Sequence, residues 1–572
     1  MCGIVGYIGE RDAAPILFAG LLDLEMRGYD SAGIKVLGNE VVKCIESPEN
    51  LRHVLSEDIV GGVGIAHNRW STQGEANLEN AHPHRDCSGK LWLAHNGKID
   101  NWYTLREELL KLGHTFNSKT DTEIIAHLIE EHMNNGLEFE RAVTEGLKQI
   151  RGTYGVVVVH EDHPDMLFAA SMGSPIVVGI GDGEYIVASD PTAIIRHTRD
   201  AVMLNDGDCA VLTREGHRIF TLDHVQLLRE SQYVEGDIEE VSREGYDHFM
   251  MKEMMESPQV LIDSARGRID VDGGNAVLGG LESVRKRLIG IRRIIIVGCG
   301  SAYYAGLYGR CFIEEYAGIP VEVELGSEFK YRNLVLEEGT AVIAVSQSGE
   351  TADTKFAVRE AKRRGLLTLG IVNKVGMEIA REVEAGVYNH AGFEKSVAST
   401  KAFMSQIEVF ALIGLYLGRL RNLSHVEGRR LAIELEELPT KVAKVLTLSN
   451  EIEELAKYFT NARGFLFLGR TYNLPIALEG ALKVKEVSYI PSEGIGAGEI
   501  KHGPFALIDP AGEIPAVVIA PQDNTYERMV STVGDIISKK GTVIAVVTEG
   551  DTEISRQATH VIEVPSTLEP FT

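Results

Sequence analysis

The stretch Ile294-Ile-Ile-Val-Gly-Cys-Gly-Ser301 is a run of aliphatic residues that ends in a glycine turn. Such a run predicts a buried strand of a parallel sheet that leads through the turn into a helix. The same pattern returns in Ala341-Val-Ile-Ala-Val-Ser-Gln-Ser-Gly-Glu-Thr351, and Leu367–Val372 predicts a further strand. Residues after Arg293 therefore alternate strands with helices, which predicts an α/β fold.

This α/β pattern occurs twice in the chain. Gly464-Phe-Leu-Phe-Leu-Gly-Arg470 repeats the first strand and turn, and Gly298 and Gly469 lie 171 positions apart (469 − 298). Ala516–Gln522 and Thr542–Thr548 repeat the next two strands. We infer that one α/β unit has been duplicated.

Residues 2 to about 220 have a different texture, with short β-rich runs, polar alternation and short turns. These features predict antiparallel sheets whose faces are covered by a few helices, in an α+β layered domain. The predicted strands are Val63–Ala66, Leu91–His95, Tyr154–His160, Leu167–Ser171, Ile176–Ile180 and Ala210–Thr213. The predicted helices are Ala13–Met26, Tyr103–Lys111, Asp121–Asn134 and Phe139–Gln149.

The stretch between these two parts, from about 225 to 285, carries an acidic segment and few strand signals. It predicts a connector with one or two helices. The expected domains are therefore residues 2–225, a linker at 226–285, a first α/β domain at 286–435 and a second at 436–572.

Composition excludes several classes of function. The 572 residues carry a net charge of −26, which argues against nucleic-acid binding. The six cysteines include no CxxC pair, so we expect a reduced protein without a disulfide framework or zinc site. No membrane span or signal peptide is evident, which predicts a cytoplasmic protein with no membrane partner.

The loop Ser346-Gln-Ser-Gly-Glu-Thr351 follows a predicted strand and opens a helix, where open parallel sheets bind ligands. Its hydroxyls and the free N–H groups of the helix start suit a phosphate. The turn Gly298-Cys-Gly-Ser301 could form a second wall. A serine- and glycine-rich turn can also be only a turn.

Glu479, Lys483 and Glu486 share one face of the predicted helix Ala477–Ser488. Such a row can be a solvated salt-bridge face. The glycine-rich segment that follows it, 494–503, contains His502. A carboxylate base near a histidine suits enolisation of a sugar, although a lone histidine is often structural.

Cys2 becomes the first residue if Met1 is removed. Its α-amine, with a pKa of about 7.7–8.0, could then take the proton of its own thiol. The alternative is a cysteine that packs in a strand.

An amide-cleaving thiol needs oxyanion donors, and Asn96 and Gly97 after a strand supply two. Arg69 could pair with an α-carboxylate and Asp121 could receive an α-ammonium. Asp121 could instead be the N-cap of its helix.

Together these residues resemble the isomerising glutamine–fructose-6-phosphate transaminase (glucosamine-6-phosphate synthase) family over nearly the whole chain. The matching motifs are Cys2-Gly-Ile-Val-Gly, Arg27-Gly-Tyr-Asp-Ser31, Ala81-His-Pro-His84, His95-Asn-Gly97, Thr120-Asp-Thr-Glu123, Ser346–Thr351, Val397-Ala-Ser-Thr-Lys-Ala-Phe403 and Glu499-Ile-Lys-His-Gly-Pro504.

The resemblance implies an N-terminal nucleophile (Ntn) glutaminase domain followed by two sugar-isomerase (SIS) domains with parallel sheets. It implies that Cys2 forms a γ-glutamyl thioester and that Asn96 and Gly97 donate to the oxyanion. Trp70 would gate the passage of ammonia. The implied glutamine-binding residues are Arg69, Trp70, Thr72, His82 and Asp121.

For the sugar half, the resemblance implies Glu486 as the isomerising base, Lys483 as a helper in proton transfer and His502, from the neighbouring subunit, as the ring-opening residue. The implied sugar-phosphate-binding residues are Cys299, Gly300, Ser301, Ser346, Gln347, Ser348, Thr351 and Ser399. The substrates would be L-glutamine and fructose 6-phosphate, with no cofactor and no metal. A homodimer through the SIS domains and the first step of amino-sugar (UDP-GlcNAc) biosynthesis are also implied.

Some positions depart from the family pattern. Gln73 stands where a histidine is common, and Ala302 where a serine is common. In the second copy only eight residues follow the strand His560–Val564, whereas the first copy continues into a long helix, Ser399–Leu420. The family's tail, whose lysine forms a Schiff base with the sugar, is not found. We therefore expect glutamine hydrolysis but little glucosamine 6-phosphate from this chain.

Alternatives from other classes have weaker support. Amidophosphoribosyltransferase needs a strand ending in paired Asp residues, and asparagine synthetase needs a Ser-Gly-Gly loop, and neither is found. A non-catalytic sugar-phosphate sensor and a glutaminase-only form stay open.

Overall fold

A computed structural model describes residues 2–25, 28–56, 58–71, 73–234, 243–373, 375–508 and 510–572. The chain divides into one compact unit that ends at Glu244 and another that begins at Gly245. The expected connector is therefore split between the two units. Its first residues form short strands of the first unit, and its later residues form helices of the second.

The first unit is built on two antiparallel sheets. Its strands are β1 (Gly3–Ile8), β2 (Ser31–Val36), β3 (Val42–Ile45), β4 (Val63–Arg69), β5 (His84–Arg85), β6 (Leu91–Ile99), β7 (Gly152–His160), β8 (Leu167–Met172), β9 (Val177–Ile180), β10 (Tyr185–Ala188), β11 (Asp200–Met203), β12 (Asp208–Thr213), β13 (Gly216–Thr221), β14 (Gln226–Leu227) and β15 (Gln232–Tyr233). One sheet has the order β15-β11-β9-β10-β1-β4-β2-β3 and the other β14-β13-β12-β8-β7-β6-β5.

Alternating side chains of the two sheets form a shared core. Ile4 and Ile65 of the first sheet pack with Val157 and Ala169 of the second. The opposite face of the second sheet packs against three helices, and α1 contacts β1 and β4. The helices are α1 (Ala13–Asp23), α2 (Trp102–Leu112), α3 (Thr122–Asn134) and α4 (Phe139–Lys148). The result is a helix–sheet–sheet–helix stack, as expected for the α+β domain.

The second unit contains two five-stranded parallel sheets and a small hairpin. The hairpin is β16 (Ile269–Asp270) and β17 (Asn275–Ala276). The first sheet consists of β18 (Arg293–Gly298), β19 (Val321–Leu325), β20 (Thr340–Ser346), β21 (Leu367–Val372) and β22 (Ala385–Tyr388). The second consists of β23 (Phe465–Gly469), β24 (Ser492–Gly496), β25 (Ala516–Ala520), β26 (Val543–Thr548) and β27 (His560–Val564).

The two sheets have the same strand order. It is β19-β18-β20-β21-β22 in one and β24-β23-β25-β26-β27 in the other, and every pairing is parallel. The duplication inferred from sequence is therefore a duplication of structure.

The helices of this unit cover both sheets. They are α5 (Phe249–Met255), α6 (Ser257–Ala265), α7 (Arg285–Ile289), α8 (Ser301–Ala317), α9 (Gly326–Phe329), α10 (Ala352–Arg363), α11 (Glu378–Glu382), α12 (Lys401–Arg419), α13 (His425–Leu446), α14 (Ser449–Lys457), α15 (Asn473–Ser488) and α16 (Tyr526–Ser538). Among the described residues, α12 alone is long and apolar enough to cross a membrane. However, 89% of its apolar window is buried within the protein, as in a core helix.

The last residues of the chain pack back onto this unit. After β27 the backbone makes a 3-10 turn at Glu569–Phe571. The hydroxyl of Tyr308 donates to the carbonyl of Pro570 at 2.8 Å, and the side-chain amide of Asn473 donates to Thr572 Oγ1 at 3.2 Å. An apolar cavity of about 380 Å³, lined in part by Phe467, lies beside this turn.

Candidate active sites

The thiol of Cys2 lies at the start of the first strand, directly before β1. The backbone N–H of Trp70 donates to Cys2 Sγ at 3.2 Å, and the thiol points back to the Trp70 carbonyl at 3.6 Å. Burial raises the pKa of the Cys2 thiol, although the Trp70 N–H and the Arg69 charge act in the opposite direction. The thiol therefore needs a base to become a nucleophile.

Asn96 is held beside Cys2 by hydrogen bonds on both ends of its side-chain amide. Its Nδ2 donates to the Cys2 carbonyl at 2.9 Å, and its Oδ1 lies 3.0 Å from His67 Nε2. These bonds fix which end of the amide presents N–H groups toward Cys2. The remaining Nδ2 proton is the one that an oxyanion could accept.

Position 97, which holds the second expected oxyanion donor, accommodates only glycine. Its φ is +134°, and a Cβ built there would lie 2.1 Å from the carbonyl oxygen of Thr153. Both Asn96 and Gly97 lie inside β6, not after it, because the ladder with β7 continues to Ile99.

Four buried histidines stand behind Cys2 and Asn96. The ring of His82 stacks on that of His67 with centroids 4.0 Å apart and meets His84 edge-on at 4.6 Å. Burial lowers the pKa of each, that of His67 to about 3, so the cluster is neutral. His95 Nδ1 contacts Thr122 Oγ1 at 3.0 Å. The structure thus places His82 in a packed cluster, and its glutamine-binding role stays a prediction.

The guanidinium of Arg69 is directed at the loop that follows Trp70. It donates to Ser71 Oγ at 3.0 Å and to the carbonyls of Gly74 and Glu75 at 3.3 and 3.1 Å, and it also contacts the Gln73 carbonyl. Arg69 therefore shapes this loop, and its pairing with a glutamine carboxylate stays a prediction. The expected glutamine-binding Thr72 and the motif residue Arg27 lie outside the described residues.

Asp121 precedes α3 but does not cap it. Its side chain makes no hydrogen bond to the first turn and instead accepts from the backbone N–H of Ile99 at 2.9 Å. Asp121 thus occupies the N-cap position of α3, but its carboxylate does not cap the helix, because it accepts from a strand N–H instead. The second oxygen is left for another donor, which suits the expected α-ammonium contact.

In the second unit, the charged row of α15 meets the glycine turn before α8. Ser301 Oγ donates to Glu479 Oε1 at 2.8 Å and accepts from Lys483 Nζ at 3.2 Å. Lys483 also pairs with Glu479 at 3.1 Å and Glu486 at 2.7 Å. Burial raises the pKa of Glu479 in spite of Lys483. This row is a connected cluster that joins both α/β copies, not a solvated salt-bridge face.

The Ser346 loop is organised by its own hydroxyls. Ser346 Oγ accepts from the Gly349 N–H at 3.0 Å and contacts Thr351 Oγ1 at 3.0 Å. Ser348 Oγ accepts from the Glu350 N–H at 3.2 Å. The hydroxyls of Ser346 and Thr351 therefore meet at the carboxyl end of β20, and Ser348 lies in the same loop, where the sequence predicted a phosphate cradle.

The remaining expected sugar-site residues are less closely connected. Gly300 has a φ of +56° before α8, and Cys299 Sγ lies 3.9 Å from Thr354 Oγ1. Ser399 Oγ donates to Glu394 at 2.9 Å. His502 is exposed in a 3-10 turn, and neither it nor Gln347 is brought to Glu486 by a described contact. Their roles stay predictions.

Sequence reasoning missed three residues that position the site. His67 orients Asn96, Glu479 orients Ser301, and Glu394 receives Ser399 together with the N–H groups of Thr400 and Ala402. His67 lies two residues before Arg69, and Glu479 belongs to the charged row predicted on one helix face. The partners of His67 and Glu479 are distant in sequence, whereas those of Glu394 lie within the next eight residues.

Comparison with known proteins agrees with the division of the chain into two units. The glutamine amidotransferase domain model matches residues 67–196, and the SIS domain model matches 287–415 and 458–571. The C-terminal domain of glucosamine-fructose-6-phosphate aminotransferase from Francisella tularensis is similar in structure, with a TM-score of 0.54 and 33% identity, covering 58% of this chain and 92% of that chain.

Curated relatives match over nearly the whole chain. Glutamine–fructose-6-phosphate aminotransferase (isomerizing) of Chlorobaculum tepidum is 46% identical over 573 residues, covering 99% of this chain and 93% of the relative. The protein of the same name from Bacteroides thetaiotaomicron is 45% identical, covering 100% of this chain and 94% of the relative. The chain therefore belongs to the glutamine–fructose-6-phosphate aminotransferase (isomerizing) family.

Proposed function

We propose that this protein transfers the amide nitrogen of L-glutamine to fructose 6-phosphate and isomerises the sugar, giving glucosamine 6-phosphate and glutamate. The observation that carries the proposal is that one chain holds both sites. The first unit presents a thiol beside oriented N–H donors, and the second presents a carboxylate–lysine cluster together with a hydroxyl-rich loop.

In the glutamine half, Cys2 Sγ attacks the γ-amide carbon. Removal of Met1 leaves an α-amine that takes the thiol proton and passes it to the leaving nitrogen as ammonia departs. Asn96 and the Gly97 N–H stabilise the oxyanion. Water then cleaves the γ-glutamyl thioester to give glutamate and the free thiol. Arg69 and Asp121 hold the α-carboxylate and α-ammonium of the substrate.

In the sugar half, His502 assists ring opening, and ammonia condenses with the C2 ketone with loss of one water. Glu486 then takes a proton from C1 and returns it to C2, while the proton of the C1 hydroxyl passes to the nitrogen, which leaves an amine at C2 and an aldehyde at C1. Lys483 Nζ pairs with Glu486 Oε2 at 2.7 Å, so it fixes the position of the proposed base. Hydroxyls of Ser346, Ser348 and Thr351 hold the phosphate.

The remaining expectations are part of the same proposal. They are a cytoplasmic location, a homodimer through the SIS domains, and the boundaries 2–225, 226–285, 286–435 and 436–572. Analytical ultracentrifugation of the purified chain tests the dimer.

The direct test measures glutamine hydrolysis and glucosamine 6-phosphate formation side by side, with fructose 6-phosphate present or absent. The wild-type rates in this test also decide the expectation from sequence that this chain forms little glucosamine 6-phosphate, which stays a prediction. Cys2→Ala is expected to abolish both activities with glutamine, while ammonium salts still support amino-sugar formation. Cys44→Ser, which changes a buried thiol elsewhere in the first unit, serves as the control. Amino-sugar formation from glutamine by Cys2→Ala would contradict the proposal.

A further inference from the structure

Four side chains with metal-binding atoms converge in the first unit, outside the residues assigned to glutamine. They are Cys87, His114, His127 and Glu130, and their ligand atoms all lie within 4.8 Å of one another. Cys87 lies in the turn between β5 and β6, His114 follows α2, and His127 and Glu130 lie one turn apart on α3. Three of the four residues are buried, and Cys87 opens to solvent.

The distances within this cluster fit a small tetrahedral site. Cys87 Sγ lies 3.8 Å from His114 Nδ1 and 3.7 Å from His127 Nδ1. Glu130 Oε2 lies 2.9 Å from the first nitrogen and 3.0 Å from the second. A tetrahedral zinc ion with ordinary bond lengths has sulfur–nitrogen edges of about 3.6 Å and nitrogen–oxygen edges of about 3.3 Å.

The groups around these four atoms are those that support a bound metal. The far nitrogen of His114, Nε2, lies 3.1 Å from Glu131 Oε2, and that of His127 lies 3.6 Å from Glu123 Oε1. A carboxylate behind each imidazole keeps the proton on Nε2 and leaves Nδ1 free to bind. The Thr115 N–H donates to Cys87 Sγ at 3.4 Å, which orients this sulfur.

The far nitrogen of His127 is a second geometric observation at this cluster. This buried atom has no hydrogen-bond partner in the structure, and it lies 3.6 Å from Glu123 Oε1. Such a carboxylate behind the ring is the outer partner that a metal-bound imidazole usually has.

We propose that Cys87, His114, His127 and Glu130 form a structural site for a divalent transition-metal ion, with Zn²⁺ as the best match to one thiolate, two imidazoles and one carboxylate. No role in amide or sugar chemistry is assigned to it. The proposal departs from the expectation of no zinc site, which rested on the lack of a CxxC pair. Here only the last two ligands are close in sequence.

The ion would tie together three segments that border the glutamine site. It would join the β5–β6 turn and the start of the α2–α3 loop to α3. This helix begins beside Asp121, and its Thr122 contacts His95. We therefore expect metal loss to lower the thermal stability of the first unit and to weaken glutamine binding only secondarily.

The test uses the full chain, purified without a metal-affinity tag and without chelators. Mass spectrometry of metals is expected to find about one zinc per chain. Removal with a chelator and reloading with Co²⁺ is expected to give the visible and thiolate charge-transfer bands of tetrahedral cobalt. Re-addition of Zn²⁺ alone to the apo chain is expected to raise its melting temperature by several degrees.

Variants separate a metal site from a hydrogen-bonded cluster. Cys87→Ser, at an exposed position, is expected to lower zinc affinity at least about tenfold and to abolish the charge-transfer band. Cys44→Ser is the matched control and should keep both. The proposal is overturned if the wild-type chain neither contains nor binds zinc or cobalt. It is also overturned if Cys87→Ser retains the wild-type metal content, or if both cysteine variants lose it equally.

Discussion

The two α/β copies of the second unit share a strand order but not a chemistry. In the first copy, the loop after the third strand carries Ser346 and Ser348 with their hydroxyls at the sheet edge. At the position of Ser348 the second copy has Asp523, whose carboxylate accepts from the N–H and hydroxyl of Thr525 at 2.7 and 2.8 Å. An anionic phosphate suits the first loop and is repelled by the second.

The helices that follow the first strand of each copy, α8 and α15, also differ, and here the second copy carries the charged residues. Glu479, Lys483 and Glu486 on α15 correspond, 171 positions earlier, to Tyr308, Phe312 and Glu315 on α8. Tyr308 and Phe312 are buried in the core of the first copy, with exposures of 3% and 0%. In the proposed mechanism, one copy therefore supplies the phosphate loop and the other supplies the acid–base helix. The duplication thus gave two copies of the same fold, and each copy carries one half of the proposed sugar site.

The largest effect expected from this comparison is on the two equivalent glutamates. Glu486→Gln should lower glucosamine 6-phosphate formation about a thousandfold, because the proposed base can no longer accept the C1 proton. Glu315→Gln should stay near the wild-type rate, since the amide can still accept the 2.7 Å hydrogen bond from Tyr472. Both rates are measured with glutamine hydrolysis as an internal reference, and equal losses would refute the assignment.

The phosphate loops give the next largest effect. Ser348→Asp, which introduces the residue of the second copy, should raise the KM for fructose 6-phosphate about a hundredfold through charge repulsion and a lost donor. Ser348→Ala should raise it about tenfold. The reverse change, Asp523→Ser, should leave this KM unaltered. A rise in KM for Asp523→Ser as large as that for Ser348→Ala would contradict the division of roles.

The smallest effect concerns α12, which follows the last strand of the first copy. Burial raises the pKa of its Glu408 to about 8, and neither carboxylate oxygen has a hydrogen-bond partner. The folded form holds this proton more tightly than the unfolded form, so the free energy of unfolding falls as pH rises from about 4.5 to about 8. Between pH 5 and 7 the loss should be about 2 kcal/mol.

Glu408→Gln removes this titration. Denaturant unfolding of the variant and the wild type at pH 5 and pH 7 should show a stability difference that grows in favour of the variant at the higher pH. A constant difference across this range would show that Glu408 is ionised in the folded protein.

A structural feature could be predicted from the sequence when it depends on neighbouring residues, and not when it depends on residues distant in the chain. The parallel strands are apolar runs bounded by glycine turns, so Leu367–Val372 and His560–Val564 were predicted with their observed bounds. The connector was harder, because two-residue strands such as Gln226–Leu227 are defined by the sheet they join and not by their own pattern.

The site shows the same limit. Cys2, Asn96 and Gly97 belong to short motifs, and the structure brings the first two together. The Asp121 carboxylate was compatible with a cap in the sequence, and only the ladder beside it places the Ile99 N–H within reach. The partnership of His67 with Asn96 joins two strands of different sheets, and no spacing in the sequence predicts it.

The hydrogen bonds of Ser301 have a further consequence for how the enzyme fails. Ser301 belongs to the first copy, whereas Glu479 and Lys483 belong to the second. A sliding of α8 against α15 by about 1 Å would break both contacts while each sheet stays intact. Gentle heating should therefore silence sugar chemistry before any loss of secondary structure, and cooling should restore it. The hydrogen bonds of Ser301 thus connect two α/β copies, each of which can stay folded after these bonds break.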